Sequence, residues 1–242
     1  MDLILNYFSS IEIYCFIVIA IIIGAITQSA VGIGFGISGS LIILVEPTMI
    51  PQCIILMGTV LAFSNAFLSF NDILKKDLFF AFSGRIIRTF ISVPLIIYTI
   101  GTNNFLIIFG LLLLITVGVS AKKWSFKANM KNVSIAGACS GFMGTLTGIG
   151  GPPMGIVYQN SKSTNVVATL NMFFGVGALF SVIILTYIEL ITLKDVFKSL
   201  LLLPAVIVGI IIGRTDTVKN YVNVKFKKLI LLICLIEKSS YL

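Results

Sequence analysis

Apolar runs of helical length follow one another along this chain, separated by short polar or charged clusters. A helix needs about 20 apolar residues to cross a bilayer, and the first run, from about Ile11 to Pro47, is longer than one crossing requires. The second spans about Ile50 to Phe70 and ends at Asn71-Asp72 and the charged loop with Lys75, Lys76 and Asp77. A third, about Leu78 to Ile100, carries Arg85 and Arg88 in its first half. The turn Gly101-Thr102-Asn103-Asn104 separates it from a fourth, Phe105 to about Ala121. A basic connector follows, with Trp124 as an interfacial anchor, and then the plan repeats. The later runs are about Val133 to Gln159, Val166 to Tyr187 and Val196 to Ile212, the last two joined by a loop over Glu189 to Lys198. A final apolar run, Leu229 to Ile236, has eight residues and is too short to span as a helix. The pattern predicts an all-α polytopic membrane protein of about 7–8 hydrophobic segments.

Two of these runs are interrupted. Gly32-Ile33-Gly34-Phe35-Gly36-Ile37-Ser38-Gly39 breaks the first, and Gly148-Ile149-Gly150-Gly151-Pro152-Pro153 breaks the fifth, 116 residues further on. Gly and Pro weaken an apolar helix and free backbone groups that lipid cannot satisfy. Corresponding interruptions in two halves of a membrane protein point to the binding site of a transporter. An unwound turn aims backbone N–H groups at an anion, and the N-terminus of the returning half-helix adds positive dipole. Pro152 and Pro153 suit a helix start.

Composition supports the membrane reading. The chain is 58% hydrophobic and 11% charged, against about a quarter charged in a soluble domain, so it has too little polar surface for water. The net charge of +8 fits the positive-inside rule, and no basic soluble module is present to bind nucleic acid. Cys15, Cys53, Cys139 and Cys234 stand singly in apolar runs and there is no histidine, so the cysteines read as packing and no metal or cofactor is expected. A membrane-embedded enzyme would need a metal cluster, a Ser/Lys dyad or paired carboxylates at depth. No such constellation is visible, so no catalytic residue is assigned. The stretch 1–10 has Asp2 and no Lys or Arg, which argues against a signal peptide.

The charges also choose between two topologies. If the first and fifth runs each cross once, ten Lys and Arg fall on one side and six on the other. If each turns back at its glycine break, the groups at 72–88, 122–131, 162 and 214–228 share one side. That gives fourteen against two, Lys194 and Lys198. The positive-inside rule favours the second arrangement. It predicts two inverted repeats with broken, re-entrant first helices: a first repeat over 1–121, a cytoplasmic connector over 122–132, and a second repeat over 133–242 with a shortened last helix. This is an alternating-access architecture.

The two breaks, the second led in by Gly141, Gly144 and Gly148, resemble the paired glycine-rich signatures of the TauE/SafE sulfite-exporter family of bacterial permeases. The number of hydrophobic segments per half is also similar, so the resemblance covers most of the chain. The first signature has Phe35 where a Gly commonly stands, and the family's terminal helix is only partly present. The resemblance implies an exporter of small sulfur-containing anions, such as sulfite or organosulfonates, in the bacterial inner membrane. An anion channel, a permease for another small organic anion and, more distantly, a membrane-embedded enzyme are the alternatives. The expected partners are a small anion and the lipid bilayer.

Candidate substrate-binding residues follow from the breaks: Gly32, Gly34, Gly36 and Ser38 in the first, Gly148, Gly150, Gly151 and Pro152 in the second. Polar groups near them add Gln28, Thr147 and Asn171, while Thr27, Ser29, Asn65, Thr145, Gln159 and Asn160 have interhelical hydrogen bonding as their simplest role. Arg88 is the deepest charge. A span of about twenty residues ending at Ile100 begins near Ala81, which puts Arg88 about 10 Å below the cytoplasmic boundary and deeper than Arg85. There it either snorkels or attracts anions near an inner gate. Glu12, Glu46 and Glu189 read as solvated caps at outer segment ends.

Overall fold

The computed structural model describes residues 6–100, positions within 102–114, and residues 128–158 and 164–219; the side chains of 86–90 lie outside that description. The regular elements among the described residues are helical. They are α1 (Ile11–Val31), α2 (Gly36–Ile42), α3 (Gln52–Phe67), α4 (Lys75–Thr99), α5 (Met130–Thr147), α6 (Gly151–Tyr158), α7 (Thr164–Tyr187) and α8 (Leu193–Gly213), with short 3-10 turns at Pro47–Met49 and Phe70–Asp72. Helices α1, α7 and α8 have the length and apolarity to cross a membrane, and α3 is a shorter apolar helix. Phe16, Ile19 and Ile23 on α1, Ile183 on α7 and Ile211 on α8 are exposed, a surface suited to lipid rather than water. The connector residues 122–127, Gln159, Asn160 and the final apolar run lie outside the described residues.

Local chemistry sets the helix ends. The Ser10 side chain accepts from Ile13 N–H at 3.3 Å to start α1, and Asn129 accepts from Asn132 N–H at 2.8 Å to start α5. Thr192 and Asp195 form a reciprocal capping box. Helix α8 therefore begins at Leu193, and Lys194, Asp195 and Lys198 lie in its first turns instead of in a loop. In the same way Lys75, Lys76 and Asp77 open α4; charged residues are good enough helix formers that hydropathy alone places the boundary too late. Helices α1 and α5 end alike, on left-handed glycines: Gly32 at φ 81 and Gly148 at φ 75, a conformation other residues adopt only under strain.

Each glycine break is the tip of a hairpin. Beyond the first, α2 runs back along α1: Ser38 Oγ donates to Ala20 O at 2.9 Å, and Ser9 Oγ donates to Glu46 Oε2 at 3.3 Å. Beyond the second, α6 returns along α5, with Met154, Val157 and Tyr158 in one cluster with Val133 and Ala136. The chain leaves each hairpin at the end where it entered.

The pairings cross between the halves of the chain. Helix α8 packs on α1, α5 on α4, and α3 on α7. Glycines let the backbones approach: a Cβ at Gly213 would lie 2.5 Å from Ile26 O, and one at Gly137 would lie 2.2 Å from Ala81 O, the contact mode of small-residue membrane helix pairs. At one end of the molecule Lys198 pairs with Glu46 at 3.6 Å. At the other, Tyr158 Oη donates to Asp77 Oδ2 at 2.8 Å. Glu46 is thus no solvated cap. Its carboxylate is largely buried, holding Lys198 and accepting from Thr48 and Ser9.

Candidate functional site

The two hairpin tips interlock. Ile149 of the second tip fills the space over Gly36 and Gly39 of α2, where an added Cβ would come within 2.5 and 3.4 Å of it. Ile33 of the first tip fills the space over Gly151 and Gly155 of α6, at 3.6 and 2.7 Å. Beside this interlock lies an open cleft with a volume of about 60 Å³. Gln28, Gly34, Phe35 and Gly36 line it from the first tip, and Gly144, Gly148, Gly150 and Gly151 from the second. Helix α3 adds Ile54, Ile55 and Gly58, α7 adds Phe174 and Ala178, and α4 adds Arg85.

Buried hydrogen bonds hold both tips from behind. Gln28 Oε1 accepts from Phe35 N–H at 3.3 Å, and its Nε2 donates to Asn171 Oδ1 at 3.4 Å, so the first tip is tied to α7. Thr147 Oγ1 donates to Met143 O at 2.8 Å and accepts from Ile149 N–H at 3.1 Å. Ser140 Oγ donates to Gly150 O at 2.6 Å. The N–H groups of Phe35 and Ile149 are thereby satisfied inside the protein and are not offered to an anion. Each tip also joins the C-terminus of a long helix to the N-terminus of a short one, so the partial charges of the two ends oppose each other.

The full charge comes from Arg85. It is 4% exposed, and its guanidinium carbon stands 4.7 Å from the centroid of the Phe173 ring, within cation–π range. Its stem passes α5 at Gly141, where a Cβ would lie 2.8 Å from Arg85 Cγ, and its head passes α7 at Gly177, where a Cβ would lie 1.8 Å from Nε. The two glycines leave a slot that any larger residue would fill. Among the described residues lining the cleft, Arg85 alone is charged.

Of the predicted site residues, Gln28, Gly34, Gly36, Gly148, Gly150 and Gly151 converge on the cleft. Gly32 is walled off by Val167 and Leu170, and Ser38 is bonded to Ala20. Thr147 and Asn171 act behind the tips, and Pro152 sits in the first turn of α6 without lining the cleft. The Arg88 side chain lies outside the described residues. Depth along α4 directed the sequence reading to Arg88, but depth carries no direction. The signal for Arg85 was the glycine slot on two other helices, which only their packing reveals.

The family model of sulfite exporter TauE/SafE matches residues 16–237 of the chain. The chain belongs to this family. The resemblance read from the glycine signatures therefore holds, and both tips and every cleft-lining residue fall inside the matched span. No curated protein and no solved structure matches the chain. TauE/SafE is a family of membrane transporters rather than of enzymes, and the apolar helices of this member are in keeping with it. The cleft where the two broken helices meet beside the buried Arg85 is the candidate site of this TauE/SafE protein.

Proposed function

We propose that this chain is a secondary transporter that exports small sulfur-containing anions, such as sulfite or organosulfonates, across the bacterial inner membrane by alternating access. The observation that carries the reading is the meeting of two hairpin tips at a cleft containing Arg85. An anion there gains a guanidinium partner and polar backbone in a site otherwise walled by apolar groups.

Two inverted repeats, 1–121 and 133–242 joined by 122–132, account for a set of coincidences at one offset of 116 residues. The left-handed caps Gly32 and Gly148 correspond. So do the contacts of Ile33 with Gly155 and of Ile149 with Gly39. Asn65 Nδ2 donates to Ser29 Oγ at 2.9 Å, and the corresponding pair, Ser181 and Thr145, lies at 2.9 Å. The pairing of α1 with α8 is matched by that of α5 with α4. Orientation follows from charge. Lys75, Lys76, Lys131, Arg214 and Lys219 cluster toward the Asp77 end, and Lys194 and Lys198 toward the Glu46 end, so the Asp77 end faces the cytoplasm.

The mechanism uses the crossed pairing. Arg85 belongs to the first half, while the slot that seats it, Gly141 and Gly177, belongs to the second. Rocking of one half against the other moves the bound anion's partner relative to the second tip, exposing the cleft to one face and then the other. The test is flux of labelled sulfite from proteoliposomes. Saturable flux with counterflow is expected, and Gly150→Leu should abolish it because a Cβ there already lies 2.8 Å from Ser140 O. Flux that rises linearly without counterflow would identify a channel. A folded protein that moves no sulfur-containing anion would overturn the reading.

A further inference from the structure

Each half of the chain presents one phenyl ring and one glycine to the cleft, and the two are exchanged between the halves. The first tip carries Phe35 and α3 carries Gly58; at the offset of 116 residues the second tip carries Gly151 and α7 carries Phe174. All four residues line the cleft. In the first half the exchange is a steric fit. A Cβ at Gly58 would point at the Phe35 ring, 3.5 Å from Cδ1 and 3.7 Å from Cε1, so a second ring at 58 would overlap the first. The backbone of the tip makes no demand on this side chain. Phe35 has ordinary right-handed helical dihedrals, φ -61 and ψ -23, and its bond to Gln28 runs through the main-chain N–H. The ring packs in the buried cluster with Ile54 and Met57. The cleft left beside it, about 60 Å³, has room for about four to six water-sized atoms.

We infer that Phe35 determines substrate size at this cleft: its ring limits the site to compact anions, of the size of sulfite or methanesulfonate, and shuts out anions with a longer hydrocarbon body. This step rests on the transport reading above. Removing the ring opens space against α3, where Gly58 offers no side chain to refill it. A hydrocarbon tail entering there buries apolar surface beside Ile54 and Ile55, the other lining residues of α3.

The experiment uses the full chain in proteoliposomes, with counterflow of labelled sulfite competed by methanesulfonate, propanesulfonate and butanesulfonate, a series that keeps the charged group constant and varies only the tail. For the native chain, butanesulfonate should compete on the order of tenfold more weakly than methanesulfonate, or worse. Phe35→Ala should strengthen butanesulfonate competition about tenfold while KM for sulfite stays within about twofold. Phe35→Leu, which keeps an apolar side chain in the cluster, should fall between. The double variant Phe35→Gly with Gly58→Phe moves the ring from tip to helix, as in the second half, and should restore the native length preference. Loss of affinity for every tail length alike in Phe35→Ala and Phe35→Leu would make Phe35 a packing residue and overturn the inference. Native protein that takes butanesulfonate as well as methanesulfonate, or a folded double variant that keeps the widened preference, would overturn it too. Each of these results leaves transport itself standing. Absence of saturable flux of any sulfur-containing anion from folded native protein would remove the transport reading and this inference with it.

Discussion

Arg85 and Gly177 form a lock whose two parts lie on different helices. The Nε of Arg85 occupies the space in which a Cβ at position 177 would sit, at 1.8 Å, so Gly177→Ala must displace the guanidinium. Gly177 is a positioning residue, and the expected outcome is a rise in KM of about tenfold with a smaller change in maximal rate, read by methanesulfonate counterflow. Overpacking should also lower stability by about 1–3 kcal/mol, measured by thermal unfolding in detergent. A merely structural role would leave the affinity defect unrescued when Arg85→Lys is added. A positioning role predicts partial recovery, because Lys lacks the planar fork at Cζ and its unbranched end can bend away from the added methyl group. None of this was legible in the chain. Arg85 and Arg88 stand three residues apart on α4, and only the packing of α5 and α7 tells that Arg85 turns toward the cleft.

The hairpins were legible, and for a physical reason. Glycine runs inside otherwise apolar sequence leave no ordinary helix, and the balance of Lys and Arg required the chain to turn back at each. The contact of residue 9 with residue 46 then follows. The charged ends of α4 and α8 were placed too late, because hydropathy does not see a capping box such as Thr192 with Asp195. The polar residues near the breaks were found by type but not by role: Gln28 faces the cleft and fastens the first tip at once, whereas Thr147 only caps the second. Gln28→Leu should therefore leave Phe35 N–H without its acceptor, at a cost of about 1–3 kcal/mol, and loosen the first tip from Asn171. Hydrogen exchange at 33–36 should rise while exchange at 148–151 stays unchanged. Equal loosening of both tips would contradict independent anchoring. Ser140→Ala makes the converse prediction for the second tip, since its hydroxyl bonds Gly150 O at 2.6 Å.

The two ends of the molecule carry matched latches. Glu46, just beyond α2, pairs with Lys198 near the start of α8, and Tyr158, at the end of α6, bonds Asp77 in the first turn of α4. Each therefore fastens the exit of one half's hairpin to a long helix of the other half. With the Glu46 end outside, breaking the first latch favours an outward-open cleft and breaking the second an inward-open one. A latch worth about 1 kcal/mol changes the ratio of the two states about fivefold. An Ala178→Cys reporter in a background without the native cysteines reads this directly with an impermeant thiol reagent. Lys198→Met should raise labelling from outside, and Tyr158→Phe, which removes the donor of the inner latch, should lower it. Acidity supplies an independent handle on the outer latch. Burial alone would raise the Glu46 pKa, but the hydrogen bonds from Thr48 and Ser9 and the charge of Lys198 outweigh it and hold the carboxyl below its ordinary value. A carboxylate depressed in this way contributes its stabilisation above the ordinary value and loses it as the pH falls through the lowered one. External acidification should then increase outside labelling of the reporter, and Glu46→Gln should start from the higher level and show no further response. If the acid response persists in Glu46→Gln, another group controls the outer end. If Lys198→Met and Tyr158→Phe shift labelling in the same direction, the two ends do not alternate and the rocking of inverted halves is wrong.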